Sequence, residues 1–351
     1  MAASSSSSIS NMLIIPFSKT HEPISFSFQL PHSKFPTSSP LTRTQQKSMK
    51  LVTRDNSSPT IGELVREQEQ TTTHHLGYAV TRYLYATANI NLPNFFKHSR
   101  WSKMWSKHAN WAGYVAVSDD ATTKLLGRRD ITIAFRGTVT RLEWVADLMD
   151  FLKPISSNGI PCPDHTVKVE SGFLDLYTDK EAGCGYAKYS AREQVLSEVK
   201  RLMEKYADEE VSVTITGHSL GSAMAILSAF DIVETGVNVG KDGRKAHVSV
   251  FSFSGPRVGN VRFKERLEGE LGIKVLRVHN AHDMVPQSPG LIFNEDSPQW
   301  LLKLVEGWFP WCYLHVGEEL QLDHKKSPFL NPDGDASCAH NLEAHLHLLD
   351  G

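Results

Sequence analysis

Short apolar runs recur along the chain from about residue 110 onward, each bounded by polar or glycine-containing segments. They are rich in β-branched and aromatic residues and too short for helices, which is typical of buried strands. The strands predicted in this way are Tyr114–Val117, Ile131–Phe135, Val211–Thr216, Val248–Phe253 and Val275–Val278.

Between and before these runs, apolar residues repeat at the three- to four-residue spacing of one helix face. The helices predicted in this way are Tyr78–Tyr85, Arg141–Asp150, Tyr189–Tyr206, Leu220–Val233 and Asn260–Leu271. Strands that alternate with helices of this length predict an α/β fold built around a mostly parallel sheet.

The first fifty residues have a composition of their own. They are rich in Ser, Thr and Pro, Glu22 is their only acidic residue, and five cations are spread along them. Such composition is typical of an organelle transit peptide and cannot bury a core. We therefore expect a disordered chloroplast transit peptide over 1–50, a polar linker over 51–75 and the folded domain over 76–351. A tail without a targeting role and a mitochondrial signal are the alternatives.

Charge and hydropathy limit the possible partners. The 37 basic residues nearly balance the 39 acidic ones, so no overall field favours nucleic acid, and nucleic acid is not expected as a partner. No apolar run reaches the roughly 18 residues that span a bilayer. Membrane contact is therefore expected to be peripheral and local. Arg100–Lys107, which mixes cations and tryptophans, is one candidate for it, with a plain surface helix as the alternative.

The pentapeptide Gly217-His218-Ser219-Leu220-Gly221 lies between a β-branched strand and a helix of small residues. A serine at such a strand-to-helix turn projects its hydroxyl from the sheet edge, and flanking glycines let strand and helix approach each other. The helix N-terminus favours an anion that forms beside the serine. This context predicts Ser219 as a nucleophile. A serine helix cap between two glycines is the alternative.

A serine nucleophile needs an orienting acid and a base. Where the serine lies at a strand-to-helix turn of an α/β sheet, the acid follows it in the chain and the histidine base follows the acid. Asp283 follows the strand Val275–Val278 at the end where parallel sheets place active sites, so it is the predicted acid. An Asx turn before Pro286 would explain the same residue without catalysis.

Several late histidines compete for the role of base. His340 opens a helix-like segment after a polar loop and is the predicted base, with His345 as the second choice. His315 lies in the strand-like segment Tyr313–Gly317, where a core role is expected, and His324 lies in a Lys-rich loop.

Motifs for cofactors and metals are weak. The chain has no H-E-x-x-H, and its histidines show no metal-ligand spacing. The segment Gly236–Lys241 is one residue short of a phosphate loop, and Asp242 replaces its Ser or Thr. No cofactor and no metal are therefore expected.

Several segments together resemble the plant class 3 (fungal-lipase-like) lipases, and among them the chloroplast phospholipase A1 type. They are Tyr83–Thr87, Phe135–Thr138, Arg141–Asp147, Gly172–Leu174, Gly217–Gly221, Gly255–Asn260, Asp283–Pro286 and Ala339–Glu343. The resemblance implies an α/β-hydrolase fold: a mostly parallel central sheet with helices on both faces and a lid segment.

The resemblance also implies roles for individual residues. Ser219, Asp283 and His340 are the implied triad, and Thr138 and the backbone N–H of Leu220 are the implied oxyanion donors. The implied lid begins with Arg141, Leu142, Glu143, Trp144 and Val145. Trp144 is equally well explained as a core residue on its own pattern.

The function implied is hydrolysis of acyl esters of membrane lipids. The expected reaction removes a fatty acid, at the sn-1 position, from phospholipids, with galactolipids and triacylglycerol as further substrates. The expected location is the chloroplast, at the surface of thylakoids or plastoglobules. A catalytically silent, lipase-like binding or signalling protein is the alternative from another class, since a fold alone does not determine activity. The sequence does not predict an oligomeric state.

Overall fold

The computed structural model describes residues 77–87, 109–137, 151–290, 297–298, 300, 312–334 and 336–350. A seven-stranded sheet forms the centre of this part of the chain. Its strands are β1 (Tyr78–Ala86), β2 (Asn110–Ser118), β3 (Arg129–Phe135), β6 (Val211–His218), β7 (His247–Phe253), β8 (Lys274–Asn280) and β9 (Glu318–Leu322). A separate hairpin-like pair consists of β4 (Leu152–Pro154) and β5 (Lys168–Glu170).

The central sheet has the order β1-β2-β3-β6-β7-β8-β9. β2 is antiparallel to both of its neighbours, β1 and β3, and from β3 to β9 each strand is parallel to its neighbour. All seven residues of β3 and the first seven of β6 are buried. Strands covered on both faces need apolar or hydrogen-bonded side chains throughout, and in β6 the hydroxyls of Ser212 and Thr214 donate to the buried Asp130 carboxylate.

Seven α-helices flank the sheet and its loops in the described ranges. They are α1 (Asp120–Leu126), α2 (Ser171–Thr178), α3 (Ala191–Lys205), α4 (Leu220–Glu234), α5 (Val261–Glu265), α6 (Ala336–Ala339) and α7 (Leu342–Asp350). Helix α4 packs on β3, β6 and β7, and every residue from Gly221 to Ile232 is buried. Ser190 and Glu193 form a capping box that begins α3.

The five predicted strands and three of the predicted helices agree with the structure. Val211–Thr216 lies within β6, Leu220–Val233 within α4, and Tyr189–Tyr206 contains α3. Asn260–Leu271 forms α5 and a π-helical turn at Arg266–Glu270. A mostly parallel sheet with flanking helices is thus confirmed.

The helix predicted over Tyr78–Tyr85 is wrong, because this segment forms strand β1. Its pairing with β2 shifts register between Val80 and Arg82 and again between Leu84 and Tyr85. The first irregularity adds Thr81 to β1 and breaks its two-residue alternation, so the apolar residues Val80 and Tyr83 are three apart, as on a helix face. The second adds Ala112 to β2. The aromatic and β-branched content of the segment was the signal for a strand.

The prediction of a strand at Tyr313–Gly317 is also wrong. It forms only a single bridge, from Leu314 to Gly259, and the strand β9 begins after it at Glu318. The residues before Gly317, from Cys312 to Val316, are buried and mostly apolar. β9, in contrast, lies at the sheet edge and is largely exposed. An edge strand with charged side chains carries little apolar signal.

Some expectations lie outside the described residues. These are the transit peptide over 1–50, the linker over 51–75, the Arg100–Lys107 segment and the helix over Arg141–Asp150. Within the described residues, none of the helices has the length and apolar character needed to cross a bilayer.

A buried ion pair joins the helices that cover the sheet. The Asp231 carboxylate on α4 is fully buried and accepts hydrogen bonds from Arg192 Nε at 2.7 Å and Nη2 at 3.0 Å. The Tyr177 hydroxyl on α2 donates to the same carboxylate at 3.2 Å. Burial raises the pKa of Asp231, so its charged form depends on the arginine.

Replacement of Arg192 by Met is expected to lower the free energy of unfolding by about 3–5 kcal/mol, because the Asp231 charge would be left buried without a partner. Urea denaturation measures this change. Lys180→Met, which removes an exposed pair with Glu193, is the matched control and should cost no more than about 1 kcal/mol. Equal losses in the two variants would contradict the assignment of Arg192.

Candidate active site

The turn between β6 and α4 holds Ser219 in a strained backbone conformation. Ser219 has φ 57° and ψ −127°, a region that side chains with a Cβ rarely adopt. Its N–H donates to the Phe253 carbonyl at the end of β7, at 2.9 Å. Strain of this kind persists only where the surroundings enforce it and is common at functional sites. The predicted strand–turn–helix context of Ser219 is therefore present.

Two glycines make this turn possible. A Cβ on Gly217 would lie 2.1 Å from the Gly221 carbonyl oxygen, and a Cβ on Gly221 would lie 2.5 Å from the Phe135 carbonyl oxygen. Each clash is with backbone, which has no side-chain freedom to move away. The glycine frame predicted around Ser219 is required because β3, β6 and α4 meet here without room for side chains.

Asp283 and His340 form a direct hydrogen bond. The Asp283 carboxylate is buried in the loop after β8, and its Oδ2 lies 2.8 Å from His340 Nδ1. The other oxygen, Oδ1, accepts the N–H of Val285 at 2.9 Å, which fixes the carboxylate. Since Nδ1–H donates to Asp283, Nε2 of His340 is left as the basic nitrogen.

The second candidate base, His345, has other partners. It is fully buried on α7, its Nδ1–H donates to the Asn341 carbonyl at 2.6 Å, and its Nε2 accepts from the Ser254 hydroxyl at 2.8 Å. Both ring nitrogens are thereby occupied. The geometry thus favours His340 over His345 as the partner of Asp283.

The remaining candidates, His315 and His324, have hydrogen-bond partners outside the Asp283–His340 pair. Nε2 of His315 lies 2.7 Å from the Pro286 carbonyl oxygen, so it supports the loop that carries Asp283. His324 contacts the side chain of Asn280 at the end of β8. The expected core role of His315 agrees with its burial.

His218 connects the serine turn to the base, a role that the sequence did not predict. Its Nε2–H donates to the His340 backbone carbonyl at 2.8 Å, and the two rings lie 4.5 Å apart between centroids. The next residue, Ser219, is buried, and among the described residues its Oγ has no hydrogen-bond partner. Hydrogen bonds between nucleophile and base often tighten only when substrate binds.

The region where an oxyanion would form is only partly described. Leu220 is the first residue of α4, where backbone N–H groups have no acceptor within the helix and the helix dipole favours negative charge. Thr138 and the lid residues Arg141–Val145 lie outside the described residues. The residue before Thr138, Gly137, lies against His218, since a Cβ there would be 2.7 Å from the His218 carbonyl oxygen. The segment Phe135-Arg136-Gly137 (the FRG segment) thus ends beside the serine turn.

The environment of His218 keeps its imidazole neutral. Burial lowers the pKa of His218 to about 3, and the nearby His340 contributes to the same shift. Burial also lowers the pKa of His345. A neutral His218 can hold its single N–H on Nε2, as the hydrogen bond to His340 requires.

The low pKa of His218 makes stability depend on pH. Between about pH 3 and the ordinary value of about 6.5, the unfolded chain binds a proton that the folded chain does not. The contribution of His218 is therefore complete above pH 6.5 and declines by about 1.4 kcal/mol per unit as the pH falls toward 3.

Urea denaturation of the wild type and of His218→Gln at pH 8 and pH 5 tests this. The difference in unfolding free energy between the two proteins should fall by about 2 kcal/mol at the lower pH. The same difference at both pH values would show that His218 titrates normally in the folded protein.

Comparisons with known proteins place this geometry in a family. Residues 132–293 match the family model described as lipase (class 3). The chain is 68% identical over 280 residues to phospholipase A1-Igamma1, chloroplastic, of Arabidopsis thaliana. This alignment covers 78% of the present chain and 54% of the Arabidopsis protein. It is 48% identical over 280 residues to galactolipase DONGLE, chloroplastic, of the same plant, with 78% and 55% covered.

Among solved structures, lipase II from Rhizopus niveus aligns with a TM-score of 0.44 at 21% identity, over 75% of this chain and 74% of that chain. The chain spans about half the length of the plant relatives it matches. The matched residues 132–293 contain the serine turn and Asp283, and the high identity to the plant relatives extends over most of the chain. The chain therefore belongs to the class 3 lipase family and has an α/β-hydrolase fold.

Proposed function

We propose that this chain is a serine hydrolase that cleaves acyl esters of membrane lipids. The observation that carries the proposal is the Asp283–His340 hydrogen bond, at 2.8 Å. The strained turn at Ser219 lies next to this pair, because His218 is hydrogen-bonded to the backbone carbonyl of His340. A nucleophile, a base and an acid that orients the base are the three groups that acyl transfer by a hydroxyl requires.

In the proposed reaction, Nε2 of His340 removes the proton of Ser219 Oγ as that oxygen attacks the ester carbonyl. The N–H groups of Leu220 and Thr138 stabilise the resulting oxyanion, and each such donor is worth about 2.7–4 kcal/mol in the transition state. His340 then protonates the departing lysolipid oxygen, which leaves an acyl-enzyme. Water, deprotonated by His340, attacks this ester and releases the fatty acid and the free serine.

The names of the relatives support a polar glycerolipid as substrate. One is called a phospholipase A1 and another a galactolipase. We propose hydrolysis at the sn-1 position of phospholipids, with galactolipids and triacylglycerol as further substrates, at a peripheral membrane contact. A catalytically silent binding protein would not need the Asp283–His340 pair, and no observation favours it.

Location and domain organisation belong to the same proposal. We propose a transit peptide over 1–50, a linker over 51–75 and the lipase domain over 76–351. Both Arabidopsis relatives are named chloroplastic, which supports the transit peptide. A rice relative, phospholipase A1 EG1, is named chloroplastic/mitochondrial, so a mitochondrial address is the alternative.

The Ser219→Ala variant tests the proposed nucleophile. Because Oγ forms the acyl-enzyme, its loss should lower kcat by about 10⁶, the scale of triad deletions in other serine hydrolases. Incubation with vesicles of mixed plastid lipids, followed by mass spectrometry of released fatty acids and lysolipids, measures both rate and position of cleavage.

Ser228→Ala serves as the control, because this serine is buried on the same helix α4, away from the turn. It should keep activity close to that of the wild type. Wild-type activity in Ser219→Ala would refute the mechanism, and release of sn-2 rather than sn-1 chains would refute only the substrate assignment.

A lid role for Trp144 is proposed from the family resemblance. A lid that opens at an interface exposes an apolar groove for acyl chains, so its tryptophan matters most when the substrate is aggregated. Trp144→Ala should lower the hydrolysis of vesicle lipid at least tenfold more than the hydrolysis of a soluble short-chain ester. Equal losses on both substrates, measured in parallel assays, would exclude the lid role.

A further inference from the structure

Three potential metal ligands meet beyond the carboxyl ends of β8 and β9. They are His282, Asp323 and His324, and each offers one ligand atom within 4.8 Å of the other two. The two loops that carry them are joined by the backbone hydrogen bond from Ala281 N to Leu322 O, at 2.8 Å. The cluster is separate from the Asp283–His340 pair, although His282 directly precedes Asp283 in the chain.

His324 has an unsatisfied ring nitrogen. Its side chain is only 3% exposed, and Nδ1 lies 2.9 Å and 3.2 Å from the two polar atoms of the Asn280 amide. Nε2 is buried, and among the described residues it has no hydrogen-bond partner. A buried polar atom without a partner costs about 1–3 kcal/mol, so such atoms call for a ligand, an ion or water. Because Asn280 holds Nδ1, Nε2 is the nitrogen available to a ligand.

The neighbouring groups are compatible with a bound cation. His282 Nε2 lies 3.2 Å from Asp323 Oδ1, and this oxygen also accepts the Lys325 N–H at 3.1 Å. The Lys326 ammonium lies 3.5 Å from Asp323 Oδ2, but its side chain is 82% exposed and can turn into solvent. A hydrogen bond between His282 and Asp323 explains these two residues without a metal, but it leaves His324 Nε2 unexplained.

We propose that His282, Asp323 and His324 form a binding site for a divalent transition metal, with Zn²⁺ as the best match. Two imidazole nitrogens and one carboxylate oxygen suit Zn²⁺, whereas Mg²⁺ and Ca²⁺ prefer sites made of oxygen ligands. Three protein ligands leave a fourth tetrahedral position for water. The partial exposure of His282 provides an entry path from solvent.

The surroundings of His324 support this assignment. A ligating histidine commonly donates its other N–H to an oxygen. Donation from Nδ1 to Asn280 Oδ1, at 3.2 Å, leaves the lone pair of Nε2 to the metal, whereas acceptance from Asn280 Nδ2, at 2.9 Å, places the proton on Nε2 when no metal is bound. The metal would join the end of β9 to the residue before Asp283 and so restrain the loop that carries the proposed acid.

Calorimetric titration of the full chain with Zn²⁺, after treatment with EDTA, tests the site. The wild type should bind one equivalent of Zn²⁺. In His282→Ala and in Asp323→Asn the affinity for Zn²⁺ should fall by more than about 100-fold, since loss of a residue that only supports a ligand costs about 10–100-fold. His247→Ala is the control, because this exposed histidine begins β7 at the opposite end of the parallel sheet. It should leave that equivalent unchanged.

A second measurement separates metal binding from damage to the fold. Zn²⁺ should raise the Tm of the wild type and of His247→Ala but not that of His282→Ala, and Mg²⁺ should raise none of them. Unchanged circular dichroism shows that the variants are folded. The same Zn²⁺ affinity and stoichiometry in all four proteins would overturn the proposal, whatever their lipase activity.

Discussion

The close approach of three backbone segments around Ser219 is the constraint on which the site depends. The end of β3, the end of β6 and the first turn of α4 come together at Gly217 and Gly221, where a Cβ would lie 2.1–2.5 Å from a carbonyl oxygen. This contact gives the serine its left-handed φ and directs it out of the sheet edge. It also brings the FRG segment next to His218.

The remaining site residues come from loops at the same edge. Asp283 follows β8, Ser254 follows β7, and His340 and His345 lie between and within the last two helices. Three histidines form one layer here: His218 lies 4.5 Å from the His340 ring and 6.4 Å from the His345 ring. Each has a different hydrogen-bond partner, so three chemically identical rings are held in distinct positions, and of the three it is His340 that is hydrogen-bonded to the Asp283 carboxylate.

Much of this arrangement can be predicted from the sequence. The parallel strands β3, β6, β7 and β8 are recognised by their β-branched and aromatic residues, and Ser219 and Asp283 are found from the positions at which β6 and β8 end. The position of His340 after a polar loop favours it over His345, and the family resemblance implies the same residue, but only the tertiary contacts show which of the two meets Asp283.

Other features have a weak or misleading local signal. β1 imitates a helix because its extra residue, Thr81, changes the spacing of apolar residues, and β9 is polar because it is an edge. His282 and Asp323 are 41 residues apart, so no spacing motif links them, and only the pairing of β8 with β9 brings them together. The role of His218 depends on a carbonyl 122 residues away.

The parallel order of the sheet has a consequence for how the proposed triad is brought together. Arg129 pairs with Val211 where β3 meets β6, and Asp283 contacts a histidine 57 residues later. Contacts of such long range form late, because the entropy of closing large loops must be overcome first. The proposed triad therefore requires the completed sheet. Until β8 and the last two helices are in place, the serine turn lacks both the acid and the base that the proposed reaction needs.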